Sequence, residues 1–146
     1  MQLYRMIVVT FIVYSGILLE LRNTHSDGSS MQYRALGKVG IEVSVIGFGA
    51  STFGDVYGTV TASAAERAVA GAIDRGINLF DVSPYYGLTL AEARLGQALE
   101  GKRSKIFLGT KCGRYGVDEF DFSGETLTRN FEQSLCRLKT DYVDLL

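Results

Sequence analysis

The chain has no tryptophan, one proline, one histidine and two cysteines among its 146 residues. Each scarcity excludes something. A lone histidine, His25, argues against a His-based zinc site. Cys112 and Cys136 fall in no C-x-x-C or metal-ligand pattern. They read as reduced thiols of a cytoplasmic protein, with a disulfide between them as the alternative. No metal is expected. One proline beside 17 glycines suits tight connections between regular elements rather than a disordered tail. A net charge of -1 gives no electrostatic basis for nucleic acid or an anionic membrane surface as partner. The length is enough for one domain with a real core.

The first thirty residues do not match the rest. The apolar run Met6–Leu19, flanked by Arg5 and Glu20, is shorter than the ~18 residues expected of a membrane-spanning helix. Leu19–Arg22 is no small-residue cleavage site. A polar stretch, His25–Ser30, precedes Met31. Residues 1–30 therefore read as an N-terminal extension, an apolar segment plus a polar linker, upstream of a natural start at Met31. The alternative is a membrane anchor or secretory signal through residues 1–21.

From Met31 onward apolar runs alternate with helical patterns. Tyr33–Leu36 and Glu42–Ser44 flank Gly37 and Gly40, which predicts a small hairpin. Val45–Gly49 reads as a buried strand. Ser63 and Glu66 have capping-box spacing, so Ser63 is expected to cap a helix. That helix carries Ala68, Val69, Ala72 and Ile73 on one face and ends at Arg75 and Gly76. Ile77–Asp81 is a short strand ending in a carboxylate. Thr89 and Glu92 repeat the capping box for a helix running to about Leu99. Lys105–Lys111 is a third strand ending in a charge. Ser123 suits the cap of a third helix, with Leu127, Phe131, Leu135 and Leu138 on one face. Tyr142–Leu146 begins a fourth strand.

Four strand signals with three helices between them recur at the ~30-residue length of a βαβ unit. The expected class is therefore α/β, a parallel sheet covered by helices. Periodicity alone does not separate a doubly wound sheet from a barrel. In either, sites gather at the carboxyl ends of the strands, where Asp81 and Lys111 fall.

Tyr86 follows Asp81 by five residues, in the loop Val82–Gly87. Adjacent parallel strands lie ~4.8 Å apart, so the Asp81 carboxylate and the Lys111 ammonium can meet. A free tyrosine titrates near ~10, too high for proton exchange at neutral pH. A neighbouring ammonium favours the phenolate, and a carboxylate keeps that ammonium charged and oriented. Such a group could protonate a carbonyl oxygen, or remove a hydroxyl proton, as hydride moves at the carbon. Spacing leaves open a structural Asp–Lys pair beside a packed tyrosine. Gly47-Phe48-Gly49 lacks the third glycine of a dinucleotide fingerprint, because Thr52 stands there. Its glycines read instead as sites of close backbone approach.

The stretch Gly76–Gly87, with Glu92 and Leu95-Gly96 after it, resembles the aldo-keto reductase signature. Thr110-Lys111 and Asp141–Leu146 are similar to further motifs of that family, in the same order. Gly47–Ser51, Ser83–Gly87, Thr110–Tyr115 and Phe120–Ser123 are similar to its plant-type L-galactose dehydrogenase branch. The resemblance implies the N-terminal half of a (β/α)8 barrel over residues 31–146, with about four strands and three helices. It implies an NAD(P)-dependent oxidoreductase, NAD being favoured, that oxidises an aldose to its lactone on the way to ascorbate. Asp81, Tyr86 and Lys111 would take three places of the family's catalytic tetrad, with Tyr86 the proton-transfer residue. Gly49, Ala50 and Ser51, with Asp81, would lie beside the nicotinamide. The fourth tetrad member, a histidine just after the Asp141–Leu146 motif, is absent from the sequence. We therefore expect a truncated barrel of little activity that covers its open sheet edges by self-association. An inactive half-barrel serving as a binding module is the alternative. Tyr85, Arg114 and Tyr115 are expected either to touch the small-molecule aldose or carbonyl substrate or only to pack and be solvated.

Overall fold

Short apolar strands need cover on at least one face, and the chain supplies it with helices from the same units. The computed structural model describes residues 30–146. The apolar run Met6–Leu19 and His25 lie outside the described residues. As expected, β1 (Tyr33–Ala35) and β2 (Glu42–Ser44) pair antiparallel, Tyr33 opposite Ser44. Gly37 and Gly40 turn this hairpin at φ 60° and 75°, values at which a Cβ is penalised.

The strand expected over Val45–Gly49 is shorter, and only Phe48–Gly49 (β3) joins the sheet. Its first residues are engaged elsewhere. Val45 N donates to the Gln32 carbonyl at 2.9 Å, and Ser44 Oγ donates to the Ile46 carbonyl at 2.7 Å. β4 (Leu79–Asp81) and β5 (Phe107–Gly109) complete a parallel sheet in the order β3-β4-β5. Phe48, Phe80 and Leu108 stand side by side in one row, and Gly49, Asp81 and Gly109 in the next. The first row is buried, with the Phe48 and Phe80 rings stacked at 4.9 Å. Successive side chains of a strand point to opposite faces, so the second row faces away from that core. The expected fourth strand appears only as the start of pairing. Leu145 N donates to the Leu108 carbonyl and Thr110 N to the Leu145 carbonyl, both at 3.2 Å.

Three helices cover the buried row: α1 (Ala62–Asp74), α2 (Leu90–Ala98) and α3 (Gly124–Leu138). The cap of α1 is Thr61, not Ser63. An N-cap needs extended backbone; Thr61 has φ -73° and ψ 154°, and its side chain accepts from Ala64 N. Ser63 already lies inside the first turn. Gly76 ends α1 at φ 83°, as its sequence position implies. Ser123 caps α3 as expected, accepting from Thr126 N. Of the apolar face of α3, Leu138 is fully buried and Leu127, Phe131 and Leu135 are half-buried. Ala65, Val69 and Ala72 of α1 and Ala91, Leu95 and Ala98 of α2 join Phe48, Phe53, Phe80 and Leu108 in one core. Burying each large apolar side chain contributes about 1.5–3 kcal/mol. Gly96 lets α2 and α3 touch, since a Cβ there would lie 2.7 Å from Leu138 Cα. No helix among the described residues is long and apolar enough to cross a membrane.

Candidate active site

The carboxyl edge of the parallel sheet is marked by Gly49, Asp81 and Gly109, which the register holds at one level. The loop after β4 is rigid for local reasons. It contains the chain's only proline, Pro84, fully buried, whose ring restricts φ. The buried Ser83 accepts from Tyr85 N at its Oγ (3.2 Å) and from Tyr86 N at its carbonyl (3.1 Å). The Pro84 carbonyl then accepts from Thr89 N at 2.8 Å, and the Tyr86 carbonyl from Ala91 N at 3.2 Å. Amides at the start of α2, which a helix leaves without internal partners, thus go to this loop.

That arrangement corrects the expected capping box. Thr89 is at φ 81° with no side-chain cap, and Glu92 does not reach back to it. Gly87, Leu88 and Thr89 form three successive left-handed residues, at φ 60°, 48° and 81°. A left-handed conformation costs an ordinary residue roughly 1–2 kcal/mol, and surrounding structure must hold it. Part of that structure is Gly54, at the end of the 3-10 turn Ala50–Gly54. A Cβ on Gly54 would lie 2.6 Å from Gly87 N and 2.7 Å from Tyr86 C. The close approach expected at Gly47 is therefore found at Gly54; a Cβ on Gly47 would meet only ordinary contacts, 3.5 Å and beyond.

Lys111 lies two residues past the end of β5 and turns back across the strand edge. Its Nζ donates to Asp81 Oδ1 at 2.7 Å, Asp81 Oδ2 at 2.8 Å and the Val82 carbonyl at 3.0 Å. It also stands 5.1 Å from the centroid of the Tyr86 ring. Asp81, Tyr86 and Lys111 are thus brought together, as their sequence positions imply. Both members of the ion pair are about half exposed, 46% for Lys111 and 49% for Asp81. Pairs so exposed contribute ~1 kcal/mol or less to stability, so the geometry matters more for where it puts the ammonium than for holding the fold. Of the expected cofactor contacts, Gly49 is level with Asp81 and Ser51 is half-buried, whereas Ala50 is fully buried in the core. Ala50 can offer a ligand only its backbone.

The loop after β5 stands beside this cluster. The Arg114 guanidinium lies 3.7 Å from the Tyr85 ring centroid and 5.1 Å from that of Phe120. Its Nη2 donates to the Val117 carbonyl at 2.9 Å. Arg114 is therefore tied down rather than freely solvated. The Tyr115 hydroxyl accepts from Gly113 N within the same loop. Cys112 is half-buried and Cys136 exposed, and neither is in a disulfide.

Several structural residues around the site escaped the sequence reading. Asp55 accepts from Arg94 Nη1 (2.5 Å) and Val60 N (2.9 Å), tying the loop after β3 to α2. The hydrogen bond from Arg94, with that from Val60, holds the Asp55 carboxyl below the usual carboxylate range. Asp144 accepts from Arg103 Nη2 at 2.7 Å and Leu108 N at 2.8 Å, fastening the final segment to β5. Glu92 is fully buried and accepts from Thr110, Ser134 and Arg137. Glu92 had a place in the family signature and in the expected capping box, and Asp144 in the Asp141–Leu146 motif, but neither signal pointed to these partners; Asp55 carried none.

Parallel βα units with a charged cluster at their carboxyl edge define an α/β protein whose site is built from strand-end loops. The chain belongs to the aldo/keto reductase family, whose model matches residues 45–146. It is 48% identical over 121 residues to an L-galactose dehydrogenase of Arabidopsis thaliana, covering 81% of this chain and 38% of that protein. It is 33% identical to the aldo-keto reductase YhdN of Bacillus subtilis (strain 168), covering 79% and 37% respectively. A solved structure described as an aldo-keto reductase from Pseudomonas aeruginosa superposes with a TM-score of 0.71 at 39% identity, covering 78% of this chain and 46% of the other. The chain thus spans less than half the length of these relatives. Its three helices and parallel strands are part of the family's (β/α)8 barrel, as the sequence resemblance implies.

Proposed function

We propose that this chain carries the proton-transfer half of an NAD(P)-dependent oxidoreductase site, acting on a sugar in the manner of L-galactose 1-dehydrogenase. One observation carries the reading: the Lys111 ammonium is held by Asp81 and set against the Tyr86 ring at a single strand edge. The same residue types would suit a nicotinamide group. Gly49, level with Asp81, has no side chain to block the approach of a flat ring, and Ser51 beside it retains exposure.

When bound, NAD or NADP would supply a hydride acceptor at the nicotinamide ring, NAD being the one that the sequence resemblance favours. Tyr86 takes the proton from the anomeric hydroxyl as the C1 hydrogen leaves as hydride, so the C1–O bond becomes the lactone carbonyl. Lys111 stabilises the phenolate that accepts this proton, and Asp81 holds the ammonium in place against the ring. In the opposite direction the same groups protonate a carbonyl oxygen. The test is reduced-cofactor formation with L-galactose and a panel of other aldoses, on this chain and on any longer polypeptide containing it. Turnover preferring L-galactose is expected of the longer polypeptide and little of this chain; no turnover by either with any aldose or carbonyl compound and either cofactor overturns the reading.

Two free thiols support a cytoplasmic setting, which recovery with membranes on cell fractionation would reverse. The outer edge of β3 has no ladder partner among the described residues, and Ile46, Tyr142 and Leu146 are exposed. Open edges and apolar surface favour self-association. A stable monomer on size-exclusion chromatography would count against that part of the proposal.

A further inference from the structure

Glu92 is a fully buried carboxylate that the proton-transfer chemistry does not use. Its Oε1 accepts from Thr110 Oγ1 at 2.7 Å. Its Oε2 accepts from Arg137 Nε at 2.7 Å and from Ser134 Oγ at 3.3 Å. A buried charge must be paired, and Arg137 meets that need from α3. The bond to Thr110 does something else. Thr110 immediately precedes Lys111, and Ala91, immediately before Glu92, donates its N–H to the Tyr86 carbonyl at 3.2 Å. A short ring of links therefore runs from Tyr86 through Ala91 and Glu92 to Thr110 and Lys111. The Lys111 ammonium above the Tyr86 ring closes it.

We propose that Glu92 is a positioning residue that sets the separation between Tyr86 and Lys111. Its carboxylate is the only side-chain group of α2 found to bond the end of β5. Bound to Thr110, it locks the strand that carries Lys111 to the helix whose first turn holds Tyr86. Without that bond the two can shift relative to one another, although the Asp81–Lys111 pair itself is untouched. The inference rests on the proposed proton-transfer role of Tyr86 for its functional meaning, but the geometric coupling does not.

The test uses Thr110→Val, which keeps the shape and removes the hydroxyl, and Thr110→Ser, which restores it. Glu92→Met, which has no oxygen to accept from Thr110, is the companion variant, and Ser134→Ala a control that leaves the Thr110 bond in place. The first readout is the rate at which Lys111 is modified by an amine-reactive reagent, followed by mass spectrometry. Thr110→Val and Glu92→Met are expected to raise that rate several-fold, Thr110→Ser to return it to the wild-type value, and Ser134→Ala to leave it unchanged. The second readout is turnover, where Thr110→Val is expected to lower kcat about tenfold with little change in KM, a size consistent with a displacement below 1 Å. A Lys111 rate unchanged in Thr110→Val and Glu92→Met, whatever happens to melting temperature, overturns the inference and leaves Glu92 a packing residue. If wild type shows no turnover but the labelling pattern holds, the positioning inference stands and the proposed chemistry fails.

Discussion

Replacing Tyr86 by phenylalanine is expected to lower kcat by about 10²–10⁴-fold, the usual worth of a positioned general acid or base. The change deletes one oxygen and keeps the ring. That ring packs partly against the core and lies under the Lys111 ammonium, so the variant should fold with a melting temperature close to wild type. KM should move little, because the hydroxyl acts on the proton that leaves rather than on ground-state binding. Lys111→Met should produce a loss of similar order, with a small effect on stability because the pair it breaks is half exposed. A Tyr86→Phe enzyme with undiminished kcat would remove Tyr86 from the chemistry and return the cluster to a structural ion pair beside a packed tyrosine.

Gly54→Ala is expected to cost about 10²-fold in kcat/KM without touching any reacting group. The new Cβ would lie 2.6 Å from Gly87 N and 2.7 Å from Tyr86 C, both backbone atoms that cannot rotate away. Ordinary contact begins at about 3.5 Å, so the turn and the loop must separate by roughly 1 Å. A displacement of that size at a positioned catalytic group can cost about 10²-fold. Gly124→Ala is the matching control, since a Cβ there meets nothing within 4 Å and no positive φ is required. If Gly54→Ala retains full activity with an unshifted Tyr86 loop, the glycine contact is not what places Tyr86. Circular dichroism and a melting curve separate a local displacement from failure to fold.

The capping box misread at Thr89, where the helix does begin, shows where sequence reasoning lost its grip. Thr-x-x-Glu spacing is the same whether the glutamate reaches back to a cap or turns inward to a neighbouring strand. Local spacing records only the distance along the helix. What decided the matter was Thr110, eighteen residues on, together with Arg137 and Ser134 on α3. A similar limit applied at Ser63. Its capping-box spacing was correct, but Thr61 already had the extended backbone that a cap requires. Gly54 left no signal at all, because its need for glycine arises from a loop more than thirty residues away.

Much of the rest was legible. The alternation of strand and helix signals, the hairpin around Gly37 and Gly40, the stop at Gly76 and the cap at Ser123 are local properties, set by backbone conformation and by hydrogen-bonding groups within a few residues. The meeting of Asp81, at the end of β4, with Lys111, two residues past β5, was legible too, because parallel strands in register bring their carboxyl ends to one edge. What only the tertiary structure decided was how firmly that edge is held. The contact of Gly54 with the Tyr86 loop, the stacking of Arg114 on Tyr85 and the burial of Glu92 beneath Thr110 all join segments far apart in the chain. Their energies come from close packing and desolvated hydrogen bonds, which exist only once the helices have covered the sheet.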